Sequence, residues 1–231
     1  MTDAPWMWII GGADGAGKST LAAPLFPELM AQEAYVDADA ALYWAADADD
    51  PTRATKVLVA RLYARIAAGL PFVVEHPLND GLMLEAIHDW HAQGGQVGLV
   101  WLWLGSATTA IARVAERAAR ASDDAGANPD DAAVKRRLVE VRRRLHDYLD
   151  AVDGWLILDN SGDAPVRVAE GAPGRVRKFD PVRYHVVVGG RRDRATSKPV
   201  FAGDWSAEAE RRARRAIERR RTLERFLGAA G

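Results

Sequence analysis

The 231-residue sequence contains no cysteine. That excludes disulfides, thiolate nucleophiles and cysteine-ligated zinc, and it fits a reducing compartment such as the cytoplasm. Long hydrophobic runs are missing as well. The longest, Val97–Leu104, falls far short of the ~20 apolar residues of a membrane-spanning helix, so no membrane association is expected. The opening Met-Thr-Asp-Ala-Pro carries no basic stretch ahead of its apolar residues, and no secretion signal is read there. His88 and His91 stand three apart with no third ligand evident, so no histidine metal centre is expected. Low-complexity tracts and internal repeats are also missing. With 48% apolar and 27% charged residues the chain is a globular sequence rather than a disordered one. Its length is that of one large domain, or one domain with a small appendage.

Net charge is nearly absent from the whole, at −1, but not from its parts. Residues 175–231 hold 16 Lys/Arg against 7 Asp/Glu, whereas residues 1–174 hold 15 against 25. Such asymmetry implies either a basic tail that meets an anionic partner or two parts of one chain that neutralise each other.

What is present is an alternation of short apolar runs and longer helical patterns over residues 1–160. The runs are Trp6–Ile10, Ala34–Val36, Phe72–Glu75, Val97–Leu104 and Trp155–Leu158. The helical patterns cover Gly17–Met30, Pro51–Ala68, Gly81–Gln93, Ala107–Ala121 and Asp130–Ala151. Continuous rather than alternating apolar strands predict a mostly parallel five-stranded sheet with helices on both faces, an α/β architecture. Beyond Asn160, prolines and glycines break the pattern. Tyr184–Val188 reads as one more strand, and a long basic helix is expected over 206–227 with Ser206 as its N-cap. The expected organisation is therefore a core over 1–162, with a lid at about 107–137, and an extension over 163–231.

Between the first strand and first helix lies Gly12-Ala13-Asp14-Gly15-Ala16-Gly17-Lys18-Ser19, followed by Thr20. This fits G-x-x-x-x-G-K-[ST], the phosphate-binding P-loop. Glycines let successive N–H groups turn inward around a phosphate, and the helix that follows adds its own unpaired N–H groups and dipole. Lys18 supplies a point charge to the β- and γ-phosphates, and the Ser19 hydroxyl is placed to ligate magnesium. Asp39 and Glu75 both fall at predicted strand ends, the edge at which open α/β sheets bind ligands. Asp37 and Asp39 share strand parity, which leaves one of them available to cap the following helix. Arg113, Arg117 and Arg120 lie on one helical face and could bring positive charge to a phosphoryl group.

These stretches resemble, in order, those of the zeta-toxin-like P-loop kinases. Gly-Gly-Ala-Asp-Gly-Ala-Gly-Lys-Ser-Thr is similar to that family's Gly-Pro-Asn-Gly-Ala-Gly-Lys-Ser-Thr loop. Val36 to Asp39 resembles its Asn-Ala-Asp, Phe72 to Glu75 its Phe-Glu-Thr strand end, and Trp155 to Ser161 its Tyr-Asp-Asn-Ser strand. Ile111 to Arg117 resembles the lid helix, and Lys135-Arg136-Arg137 the Arg-Arg pair after it. The family's Gly-Gly-His element is replaced by Ala-Gly-Ala-Asn-Pro, and the threonine after the glutamate is His76. The resemblance implies ATP and Mg2+ as cofactors and transfer of the γ-phosphate to a small-molecule hydroxyl, that of a nucleotide sugar such as UDP-N-acetylglucosamine. Asp39 would then accept the acceptor's proton, Glu75 would hold the acceptor, and Arg113, Arg117, Arg136 and Arg137 would clamp phosphates. A protein antitoxin is the implied partner. Rival readings are a P-loop kinase for an antibiotic, nucleoside or other sugar, and a nucleotide-binding module that contacts nucleic acid through the basic helix. The nucleic-acid reading is the weaker, because no aromatic residue is interleaved among the helix arginines.

Overall fold

The computed structural model describes residues 4–37, 53–121, 130–189, 193–198, 200–201 and 204–228. Eight strands form one sheet: β1 Trp6–Gly11, β2 Tyr35–Asp37, β3 Phe72–His76, β4 Gln96–Trp103, β5 Gly154–Asp159, β6 Val166–Ala172, β7 Arg175–Lys178 and β8 Arg194–Ala195. Their spatial order is β2-β3-β1-β4-β5-β6-β7-β8. The first five in that order pair in parallel, β6 and β7 add antiparallel strands, and β8 runs parallel to β7. The helices are α1 Lys18–Leu25, α2 Pro27–Ala31, α3 Arg53–Ala68, α4 Leu82–Ala92, α5 Ala107–Ala121, α6 Asp131–Ala151, α7 Pro181–Val188 and α8 Trp205–Gly228.

The expected α/β architecture is present, but the sheet is larger than five strands. The three extra strands come from the segment whose prolines and glycines read as breakers. Pro173-Gly174 is in fact the two-residue turn between β6 and β7, with Gly174 at φ +72° as such a turn requires. Tyr184–Val188 is not a strand. Pro181 supplies the first turn of a helix there, and the Asp180 carboxylate caps it by accepting from the Arg183 N–H. The single helix expected over Gly17–Met30 is divided in two, because Pro27 begins a new helix after Phe26. The C-terminal helix starts at Trp205, one residue ahead of Ser206. Ser206 is buried inside it and accepts from Arg167 at 3.2 Å rather than acting as a cap.

Strand residues divide between two cores, one on each face of the sheet. Met7, Ile9, Val74, Leu99 and Trp101 join the core packed by α3, α4, α6 and α7. Ile10, Val73, Val100, Leu102 and Leu156 join the core packed by α1 and α8. Both side-chain parities of each strand are thus apolar, which explains the continuous runs. In α3 the buried stripe is Leu58, Leu62 and Ile66, spaced four apart, with Val57 and Tyr63 at its border. The extension is fastened to this frame by rings: Trp8 stacks on Trp205 at 4.7 Å and on Trp6 at 5.2 Å. These rings line an open groove of about 770 Å³ with Arg212 at its rim, near the N-terminal ends of β1 and β3 and away from the loop after β1.

Candidate active site

The loop leaving β1 is where the chain changes conformation most sharply. Gly12, Gly15 and Gly17 have φ of +147°, +74° and +91°. A Cβ at Gly12 would meet Leu102 O at 2.5 Å, and one at Gly15 would meet Ala110 O at 2.9 Å. Neither position admits a side chain, so the loop is fixed by backbone packing on both sides. Asn160 closes it from a third side. Its amide donates to Ala16 O at 2.9 Å from a position that is 3% exposed, and it would meet a Cβ on Gly17 at 2.8 Å.

Lys18, the first residue of α1, is buried, with Nζ donating to Ala13 O at 3.4 Å. Next to it, the Ser19 hydroxyl donates to Glu75 Oε1 at 2.8 Å. Glu75 lies near the end of β3, opposite Asp37 of β2 and beside β1. It is fully buried, and its Oε2 has no hydrogen-bond partner among the described residues. Burial, and then the adjoining Asp37 carboxylate, push the Glu75 carboxyl up to about 8, against the opposite pull of Lys18 and Ser19. Two carboxylates side by side need a shared proton or a cation between them. The next residue, His76, is buried too. Its Nδ1 accepts from Leu78 N at 3.0 Å, and Nε2 lies 3.9 Å from Asp80 Oδ2.

The arginines expected around phosphates divide into three groups. Arg113 of α5 donates to Asn160 O at 2.9 Å and to Gly15 O at 3.3 Å, so it grips the loop from outside. Arg137 of α6 bonds the Asp14 carboxylate within the loop, Nε to Oδ2, at 2.5 Å. Arg117 and Arg136 are exposed, and Arg136 pairs with Asp130 at 3.5 Å. Thr20 follows Ser19 in the first turn of α1. Asp39, expected to act as base, lies outside the described residues, as do residues 122–129 of the expected lid.

Two contributors escaped the sequence reading. Asn160 entered only through the resemblance over Trp155 to Ser161; its side chain holds the P-loop, and the Asp-Asn-Ser setting at the end of a strand was the available signal. Arg142 stands in an Arg-Arg-Arg run that gives no local sign of burial. It lies half-buried over the Trp103 ring at 4.4 Å and donates to Leu104 O at 2.6 Å. In the basic helix, the described arginines pair locally: Glu208 accepts from Arg211, Arg212 and Arg215, and Glu210 from Arg214 and from Arg167 of β6.

No protein-family model matches the chain, and no curated protein matches its sequence. Solved structures do match its fold. A chain of the AvrRxo1-ORF1:AvrRxo1-ORF2 complex with sulphate ions is 14% identical, with a TM-score of 0.62 over 93% of this chain and 76% of that one. The same pair with ATP gives a TM-score of 0.60 at the same identity and coverage. A chain of the PezAT chromosomal toxin-antitoxin system of Streptococcus pneumoniae is 15% identical, with a TM-score of 0.56 over 94% and 89% of the two chains. The protein has the zeta-toxin-like P-loop kinase fold. Among the described residues no helix is long and apolar enough to cross a membrane.

Proposed function

We propose that the protein is an ATP-dependent phosphotransferase of the cytoplasm that moves the γ-phosphate of Mg-ATP to a small-molecule hydroxyl, a nucleotide sugar being the leading acceptor class. The observation that carries this reading is the Ser19–Glu75 hydrogen bond beside buried Lys18, next to a loop whose Gly12 and Gly15 leave no room for a side chain. The residues fit the implied cofactors. Hydroxyl and carboxylate oxygens are the donors magnesium takes, and Glu75 Oε2 is buried with no hydrogen-bond partner among the described residues. Among the described residues no three acids or histidines converge on one point. That suits an ion that keeps several waters and takes other ligands from phosphate. The fold is shared with a complex solved with ATP and with a toxin-antitoxin system, which supports ATP as donor and an antitoxin as partner.

When bound, Mg-ATP supplies the phosphoryl group and much of the charge neutralisation. Gly12 to Thr20 turn backbone N–H groups toward the phosphate chain, with Ala13, Asp14 and Ala16 as the intervening residues. Lys18 places its charge on the terminal phosphates, and Ser19 offers its hydroxyl to the cation. Glu75, its proton released to solvent, would hold the acceptor or contact the cation. Asp39 accepts the acceptor's proton. Arg113, Arg117, Arg136 and Arg137, on a lid at about 107–137 of a core over 1–162, bring the positive charge that a loose phosphoryl transition state needs. The extension over 163–231 completes the sheet. The local pairing of the helix arginines supports packing over nucleic-acid binding.

Calorimetry with Mg-ATP tests the cradle. Lys18→Ala is expected to weaken binding at least a hundredfold, whereas Asp39→Asn should bind normally and lose transfer by about a thousandfold. Unchanged nucleotide affinity in Lys18→Ala would refute the reading.

A further inference from the structure

The two helices on either side of residues 122–129 both rest on the P-loop, but through different chemistry. From α5, Arg113 reaches the carbonyl of Gly15, and the α5 backbone at Ala110 closes against the same glycine. A neutral carbonyl does not compete with a phosphate for this contact. From α6, Arg137 reaches a carboxylate, that of Asp14, a residue of the glycine loop whose side chain is 17% exposed. A fixed negative charge is out of place in a loop whose N–H groups face an anion. The bond uses Arg137 Nε, which leaves both terminal nitrogens of the guanidinium fork for a second acceptor. Its neighbour Arg136 is turned away to Asp130.

We infer that Asp14 is an internal stand-in for phosphate: without nucleotide its carboxylate holds Arg137, and with it α6, on the P-loop, and an incoming polyphosphate must draw that arginine away. This rests on reading the site as a nucleotide cradle. The loop is then neutral and closed before it is filled, and nucleotide affinity is set by an exchange of Arg137 between two anions. Asp14 weakens binding twice, by competing for the guanidinium and by repelling the phosphates once Arg137 has left it.

The test is a double-mutant cycle in Mg-ATP affinity, measured by calorimetry at fixed salt on the full chain. Asp14→Asn should bind about tenfold more tightly than the wild type, equivalent to about 1.4 kcal/mol. That gain should shrink when Arg137→Gln is also present, because only the relief of repulsion then remains. Circular dichroism checks folding, and Asp14→Ser serves if the asparagine variant does not fold. Equal or weaker binding by the Asp14 variants overturns the inference, and so does a gain that is undiminished without Arg137. Nucleotide binding by the wild type in those cases leaves the cradle reading standing. If neither the wild type nor any Asp14 variant binds Mg-ATP, the cradle reading fails and the inference with it.

Discussion

Among the described residues two glutamates are fully buried, and they are compensated in opposite ways. Glu170 on β6 accepts from Arg177 at 3.3 Å and from Val200 N at 3.2 Å, and Arg177 is in turn shared with Asp204 and stacked over Phe179. Glu75 on β3 has a hydroxyl on one oxygen and a carboxylate beside it. In both, Oε2 lacks a hydrogen-bond partner among the described residues. A buried carboxylate is costly unless a counter-ion or a proton accompanies it. At Glu170 the chain supplies a guanidinium, and the group fastens the extension to itself. At Glu75 the chain supplies another acid, which adds to burial in favouring the protonated carboxyl. The contrast separates a carboxylate that builds from one that waits.

The largest effect expected from breaking this contrast is at the structural member. Glu170→Ala leaves Arg177 without its buried partner and should cost about 3–5 kcal/mol, read from urea unfolding; a loss under about 1 kcal/mol would abolish the distinction. Next is the ring stack that joins the extension to β1. Trp205→Ala should cost about 2–3 kcal/mol, with a single transition in both proteins if the extension unfolds together with the core. Two transitions would mark the extension as a separate unit. The third is a sign test at Glu75. Its carboxyl titrates at about 8 when folded and near 4.5 when unfolded, so the folded state holds the extra proton between those values. Its contribution is fully present below about 4.5 and is lost as pH rises through 8. In magnesium-free buffer Glu75→Gln should remove that decline and be more stable than the wild type at pH 9, by on the order of 2 kcal/mol. A wild-type stability that rises from pH 5 to pH 8 relative to Glu75→Gln contradicts the assignment. The smallest effect is at the surface: Arg120→Ala, which breaks an exposed pair with Glu116, should change stability by less than about 0.5 kcal/mol.

The P-loop and the five parallel strands were legible because their signals are local. Glycines at fixed spacing, a lysine and a serine after them, and continuous apolar runs are all read without knowing what packs where. The β6–β7 hairpin was missed because Pro173 and Gly174 punctuate a tight turn with the same residues that end a strand for good. The α7 segment misled for a related reason: Tyr184 to Val188 is β-prone by composition, and its helix is started from outside by Asp180 and Pro181. Arg142 looked like its exposed neighbours, since sequence does not show that Trp103 lies beneath it. The hold of Asn160 on the P-loop was not legible, because its partner Ala16 O lies 144 residues away.

The order of residues alone determined the glycine loop, the apolar strands of the parallel sheet and most of the helices between them, since each depends on neighbours within a few positions. The three-dimensional arrangement decided which acid meets which base. Glu75 could have faced an arginine and Glu170 a serine with no change in local pattern. What gives one a proton and the other a guanidinium is the strand order of the sheet, which sets β2 beside β3 and β7 beside β6, and electrostatic energy depends on distance in space rather than along the chain.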